Sequence, residues 1–350
     1  MADGPRAFVL GATGQIGRAA VRALTADGWE VTAAARGAAQ DGSWPDGVRA
    51  VALDRDEDGA LAAAVGEDHA LLVDTWTMTP AHTRQLTGLA GRVASAVVLS
   101  SGAVYEDGRG RSFMTQDEPD GFPRYPVPIP ETQRTLPPGD RDYGSRKALM
   151  ERDLLALGAR LPVTLLRAGA VHGRHDRMPR ELWFVKRWLD GRPVRILAYG
   201  GRSRFHTAHV DNLAELVRLA ARRPGSRALN AADPEALPVA RIAELMDTVL
   251  GGEAETVLLD GAPPEDAPTV GATPWSLPEP VVFDMTAAER ELGYRPVTSY
   301  EESLPETVEW VAARVRGRDW REVYPQLAQV EGYGMFDYEA EDRWLAEHRR

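Results

Sequence analysis

The chain has 350 residues, 27% of them charged and 43% hydrophobic, proportions of a globular protein that exclude a disordered, collagen-like or coiled-coil polypeptide. Its 41 Lys and Arg against 52 Asp and Glu leave a net charge of -11, so neither nucleic acid nor an anionic membrane surface is expected as a partner. The absence of cysteine removes disulfides, thiolate nucleophiles and Cys-ligated metal centres. With no basic-then-apolar leader in MADGPRAFVLGATG and no long apolar window, a soluble, cytoplasmic protein is expected.

Residues 6–10 predict a short apolar strand, residues 11–17 a glycine-rich turn, and Ile16, Ala20 and Leu24 mark the inner face of a helix ending near Gly28. Residues 29–35, 48–53, 69–74 and 94–100 predict further short strands, each bounded by polar or glycine punctuation. This alternation predicts an α/β fold with a doubly wound parallel sheet. Between residues 105 and 141 the apolar period vanishes, and Pro119, Pro123, Pro126, Pro128, Pro130, Pro137 and Pro138 exclude a helix or central strand. An ordered loop is expected there, of the length that lids and binding loops have. A helix at 143–157 and a strand at 163–166 resume the pattern. Helices around 182–189, 210–221 and 242–250 follow, with a second proline-rich connector at 263–280. Beyond about residue 313 lies a tail carrying Trp320, Tyr324, Tyr333, Phe336, Tyr338 and Trp344, expected to pack on the body.

Gly11, Gly14 and Gly17 stand between the first strand and the first helix, where glycines permit a tight turn, close approach of backbone amides to a pyrophosphate and close helix–strand packing. The second strand ends Ala34-Ala35-Arg36-Gly37, with no carboxylate to accept ribose hydroxyls. Arg36 could instead grip a 2′-phosphate, with Arg18 as a second contact, which favours NADP while leaving NAD open. Asp54, at the end of the third strand, could accept from an adenine amine or cap the next turn.

Tyr143 and Lys147 lie four residues apart on one helix face. The only lysines are Lys147 and Lys186 in an arginine-rich chain, so a lysine at that spacing is seldom met by chance. A neighbouring ammonium is expected to lower the phenol's pKa. Ser100 and Ser101 end the fifth strand, where ligands of open α/β sheets bind and a hydroxyl can orient a carbonyl oxygen. His172 with His175 and Asp176, and His206 with His209 and Asp211, have residue types that bind metals, but their spacing aims each pair apart and no metal is expected. Arg174, Arg177, Arg180, Arg202 and Arg204 could bind an anionic substrate or be solvated surface.

Together GATGQIG, LSSGAVY, YGSRKALME, LLRAGAVHG, HVDNLA and ERELGYRP, spread over residues 6 to 312, resemble the extended short-chain dehydrogenase/reductase superfamily, specifically its NAD-dependent epimerase/dehydratase family. The resemblance implies a Rossmann-type nucleotide-binding domain at 1–171 and 205–232. It implies a smaller C-terminal α/β substrate-binding domain at 172–204 and 233–312; 313–350 lies beyond the resemblance as the aromatic-rich extension expected to pack on the body. It makes Tyr143 the acid/base, Lys147 its partner and ribose ligand, and Ser101 the third catalytic residue. Gly11, Thr13, Gly14, Gln15, Ile16, Gly17, Arg36 and Asp54 would bind the cofactor, and Trp76, Gly102, His172 and Arg204 the substrate. Arg167 with His172-Gly173 would correspond to the R-x-x-x-x-Y-G element bordering both, with His in place of the usual Tyr.

The chain departs from the pattern in further places. The family's Asn-bearing helix after the fourth strand is replaced by Asp74-Thr-Trp76-Thr-Met-Thr-Pro80, and the 101–143 interval is long. Phe205 stands where nucleotide-sugar members carry a diphosphate-binding arginine. The expected activity is an NADP-dependent oxidoreductase acting on a small molecule as a homodimer. A nucleotide-sugar epimerase or dehydratase, and a non-catalytic nucleotide-sensing or RNA-associated protein, are the alternatives.

Overall fold

The computed structural model describes residues 4–38, 41–67, 69–330 and 334–348. It divides into two compact units, one formed by Met1–Val171, Ala208–Pro234 and Phe283–Thr298, the other by His172–Thr207, Glu235–Val282 and Ser299–Arg350.

The first unit is built on a seven-stranded sheet. Strands β1 (Arg6–Leu10), β2 (Glu30–Ala35), β3 (Arg49–Ala52), β4 (Leu71–Asp74), β5 (Ser95–Ser101) and β6 (Val163–Ala168) join Arg227–Ala231 in the order Arg227–Ala231, β6, β5, β4, β1, β2, β3. Every pairing is parallel. The period of two sorts each strand between two cores. Ala7, Val9, Leu71, Val73, Val97 and Leu99 face one layer, where they meet helix α1 (Gln15–Ala26) through Ala20, Val21 and Leu24 and the helix Val210–Arg222 through Leu213 and Val217. Phe8, Leu10, Leu72, Ala96 and Val98 face the other. There α2 (Ala60–Val65), α3 (Pro80–Thr87) and α4 (Tyr143–Leu155) contribute Leu61, Leu86, Met150 and Leu154.

The chain runs outward from β1 to β3, then returns to place β4 on the other side of β1. That reversal opens a crevice at the carboxyl ends of β1 and β4, the position where open α/β sheets bind ligands. Residues 105–141 form an irregular but extensively bonded segment, with one short 3-10 turn at Phe113–Thr115. The buried Asp107 carboxylate accepts from the N–H groups of Arg109, Arg111 and Arg124 and from the Arg111 guanidinium. Tyr125 donates to the Tyr105 carbonyl at 2.8 Å.

Among the elements of this unit that lie where no regular structure was expected are α2, α3, the strand Arg227–Ala231 and the helix Thr286–Leu292. The short α3 has few apolar residues to signal it, but carries a Thr79 N-cap and Pro80 in its first turn.

In the second unit the helices Leu182–Leu189, Val239–Leu250 and Tyr300–Val315 enclose a core of Trp183, Val185, Ile242, Met246, Leu304 and Val311, beside a parallel strand pair, Val194–Leu197 with Glu255–Leu258. Trp320 and Tyr324 bury in this core, and Arg187, 3.8 Å from the Trp183 ring centroid, hydrogen-bonds the Glu341 carboxylate of the last helix. Tyr333 lies outside the described residues. Among the described residues no helix is long and apolar enough to cross a membrane.

Candidate active site

The glycine loop has the geometry its sequence requires. Gly11 has φ +79° and its amide, with that of Ala12, donates to the Ala34 carbonyl, folding the chain back from β1. A Cβ on Gly17 would collide with the Gly11 carbonyl and stand 2.7 Å from the Ala12 Cα, so α1 packs against the loop only because no side chain intervenes. A Cβ on Gly11 would overlap the Thr75 hydroxyl. Gly14 begins α1 without a side-chain cap, leaving the first amides of the helix for an anion, with Thr13 and Gln15 half-buried beside them and Ile16 packed on the core. The loop therefore fits a dinucleotide pyrophosphate.

The flanking residues are sorted differently from the sequence expectation. Arg36 is exposed, and its charge acts on the Asp56 carboxylate without a side-chain hydrogen bond among the described residues. Arg18 is instead engaged: its Nε donates to the Thr13 carbonyl at 3.1 Å, and its terminal nitrogens donate to the Ser43 hydroxyl and the Asp41 carboxylate. Asp54 caps the next turn, accepting from the Asp56 N–H at 3.0 Å.

Ser101, Tyr143 and Lys147 come together at the carboxyl end of β5. The Ser101 hydroxyl accepts from the Ala103 N–H at 3.1 Å and lies close enough to the Tyr143 phenol to act on its pKa. Asp142 caps α4 through a reciprocal pair with Ser145, fixing the turn on which Tyr143 sits. Gly144 then lets the helix lie against the turn Gly102–Val104, since a Cβ there would stand 2.5 Å from the Ala103 carbonyl oxygen and 2.5 Å from Leu136 Cδ1. One turn on, Lys147 is 4% exposed and donates to the carbonyls of Thr77 and Leu99, both at 2.8 Å, using two of its three N–H bonds.

The electrostatics correct one expectation. Burial pulls the Lys147 ammonium down to about 8, against the opposing pull of the Asp74 and Glu151 carboxylates. Burial pushes the Tyr143 phenol above its usual value, with only the Ser101 hydroxyl acting the other way. Lys147 thus does not acidify the phenol: its ammonium lies 5.8 Å over the Tyr143 ring and spends two of its three donors on carbonyls.

Two buried ion pairs that sequence reasoning missed support this geometry. Asp74 is fully buried and accepts from Arg55, the Trp76 N–H and the Thr77 hydroxyl, shaping the turn whose carbonyl meets Lys147. Glu151 accepts from Ser100 at 2.6 Å and pairs with Arg167 at 2.7 Å. Arg167 also donates to the hydroxyl of the buried Tyr105, which donates to Asn230. The Arg167 side chain is therefore committed to this network. The signal for Glu151 was available, since it falls one more turn along the Tyr143–Lys147 face of α4.

Trp76 is 54% exposed and stands beside the glycine loop, its Cβ 3.6 Å from where a Gly11 Cβ would be. Gly102 is buried under the Phe283 ring, which leaves its Cα no room for a side chain. In the second unit, His172 is buried with its ring 4.8 Å from that of Tyr300, and Arg204 is exposed. His209 accepts from the Asp211 N–H at 3.3 Å and caps the helix Val210–Arg222. Among the described residues no three His, Asp or Glu side chains converge as a metal site would require.

A parallel sheet with a glycine loop at its switch point and a Ser–Tyr–Lys cluster one strand away defines a nucleotide-binding α/β protein of the short-chain dehydrogenase/reductase type. The chain belongs to the NAD dependent epimerase/dehydratase family, whose model matches residues 7–232. Solved structures similar to it include an epimerase from Methanothermobacter thermautotrophicus, 16% identical with a TM-score of 0.68 over 92% of this chain and 95% of that one. UDP-N-acetylglucosamine 4-epimerase from Methanobrevibacter ruminantium M1, in complex with UDP-N-acetylmuramic acid, is 19% identical with a TM-score of 0.65 over 90% and 100%. UDP-glucuronic acid 4-epimerase from Bacillus cereus, in complex with UDP-glucuronic acid and NAD, is 16% identical with a TM-score of 0.63 over 88% and 99%. At these identities the likeness is one of fold. No curated protein matches the chain.

Proposed function

We propose that the protein is an NADP-dependent oxidoreductase that moves hydride at a carbonyl or carbinol carbon of a small molecule, with Tyr143 handling the proton of the reacting oxygen. The observation that carries this reading is the convergence of Ser101, Tyr143 and Lys147 at the end of β5. A bound pyridine dinucleotide supplies the hydride donor or acceptor. Gly11, Thr13, Gly14, Gln15, Ile16 and Gly17 would hold its pyrophosphate, the third N–H of Lys147 a ribose hydroxyl, and Arg36 a 2′-phosphate.

Ser101 orients the reacting oxygen and stabilises its developing charge. The raised phenol of Tyr143 is neutral and so ready to donate, which suits protonation of a carbonyl oxygen as its carbon is reduced. The second unit is assigned substrate binding, with His172 and Arg204 contributing, and Trp76 and Gly102 are the first unit's candidates. A homodimer through the helices flanking Tyr143 completes the reading.

A nucleotide-sugar epimerase or dehydratase is the second reading, and one observation favours it. The Arg180 guanidinium lies 5.0 Å over the Phe205 ring, returning a cation to the position where Phe205 replaces the expected arginine. Net reduction predicts consumption of reduced cofactor in proportion to product, whereas an epimerase forms product without net cofactor change. Tyr143→Phe is expected to abolish turnover while leaving cofactor binding intact; unchanged turnover would remove the catalytic assignment.

A further inference from the structure

Among the described residues, Arg18 joins the loop after β2 to the glycine loop. Arg18 projects from the first turn of α1, and its Nε bond to the Thr13 carbonyl keeps the guanidinium beside the pyrophosphate-binding turn. Its other donors are occupied by the loop: Ser43 takes one nitrogen at 2.8 Å and Asp41 the other, while Trp44 covers the guanidinium with its ring centroid 5.3 Å away. Asp41 is itself fixed, its second oxygen accepting from both the N–H and the hydroxyl of Ser43. Arg18 and Ser43 hold its carboxyl well below the usual range, at about 2, so it is charged at neutral pH.

In dinucleotide-binding α/β folds the end of the second strand decides between the two coenzymes: a carboxylate there accepts ribose hydroxyls, and an arginine there receives a 2′-phosphate. Here β2 ends without an acid, and an acid appears five residues beyond Arg36, already bound to the second arginine of the same region.

We propose that Asp41 is an internal competitor for a 2′-phosphate, occupying Arg18 so that a phosphorylated coenzyme must displace it. This rests on the reading of the glycine loop as a pyridine dinucleotide site. Asp41 acts in two ways, by taking the donors that a phosphate would use and by presenting a like charge to it. Arg36 is left as the open contact, and Asp41 sets how strongly the protein prefers the phosphorylated coenzyme. Asp41 is a poor ribose acceptor because one oxygen already takes two bonds and the other is turned to Arg18.

The test is calorimetric titration of the full chain with 2′,5′-ADP, ADP, NADPH and NADH. Asp41→Asn is expected to tighten 2′,5′-ADP and NADPH by about tenfold and to leave ADP and NADH within about twofold. Adding Arg18→Met is expected to remove the gain. Asp41→Ser, which keeps a polar side chain in the loop, carries the same expectation should the Asn variant fold poorly. Weaker NADH and ADP binding in Asp41→Asn would make Asp41 a ribose acceptor and overturn the proposal. So would an equal shift of all four ligands, or a gain that survives loss of Arg18. A wild-type protein that binds neither coenzyme overturns the dinucleotide reading itself, a result distinct from all of these.

Discussion

Lys147 donates its ammonium to the backbone carbonyl of Thr77, at the end of a turn that the buried Asp74 organises. The residue expected to tune the tyrosine is thus first a strut between β5 and the segment after β4. Its burial has a measurable consequence. The ammonium's pKa falls from 10.5 to about 8 on folding, so below pH 8 the folded chain carries a buried charge at a cost of about 3 kcal/mol. Between about pH 8 and 10.5 the unfolded chain holds a proton that the folded chain has released, and stability rises with pH. Urea unfolding of the wild type and Lys147→Met is expected to show the wild type gaining on the variant across that window. A pH-independent difference would mean that the lysine is not buried as a cation. Turnover, if it needs the charged form, falls as pH rises through 8.

How much of this was legible follows from the range of the interactions. The glycine loop and the Tyr143–Lys147 pair could be read from the sequence because their chemistry is set by local spacing on a turn and a helix. The strand Arg227–Ala231 was missed because RALNA lacks an apolar run, and it is a strand only because β6 offers it a parallel edge. Arg18 and Asp41 read separately as a phosphate ligand and an unremarked loop acid, and only the folded loop shows them bound to each other. The same holds for Glu151 with Arg167, which lie 16 residues apart on different elements.

Gly144→Ala separates helix stability from site geometry. Alanine favours the helix by up to about 1 kcal/mol. Its Cβ, however, would stand 2.5 Å from the Ala103 carbonyl oxygen and displace the start of α4 from the Ser101 turn. A displacement near 1 Å costs on the order of a hundredfold in rate. The expected outcome is a protein that melts within a few degrees of wild type, binds cofactor and turns over about a hundredfold more slowly. Undiminished kcat would show that the close approach at residue 144 does not position Tyr143.

Glu151→Gln leaves the Arg167 guanidinium buried without its carboxylate, a defect worth about 3–5 kcal/mol. Replacing both residues with methionine removes the stranded charge and is expected to recover most of that loss, though Tyr105 and Ser100 then lose a partner each. Denaturant midpoints of the two variants decide the matter. A double variant as unstable as the single one would mean that the network's hydrogen bonds, rather than its charge pairing, hold α4 to β6.

Asp107 governs the long segment before α4. Burial alone would raise its carboxyl, but the N–H groups of Arg124, Arg111 and Arg109, with the Arg111 guanidinium, pull it down to about 2. The stabilisation is therefore complete above the usual aspartate pKa of 3.8 and is lost as pH falls through about 2, amounting to roughly 2–3 kcal/mol. Asparagine keeps one acceptor oxygen where the carboxylate serves four donors. Asp107→Asn is expected to destabilise by a similar amount at neutral pH and to abolish the wild type's extra loss of stability in acid. Amide exchange should quicken across residues 106–134 first, because Glu106, Arg134 and Gln133 bond to one another there and depend on the turn that Asp107 closes. Exchange that quickens equally in β1 and β5 would instead place Asp107 in the global fold, and the segment would then not be a separately ordered cover.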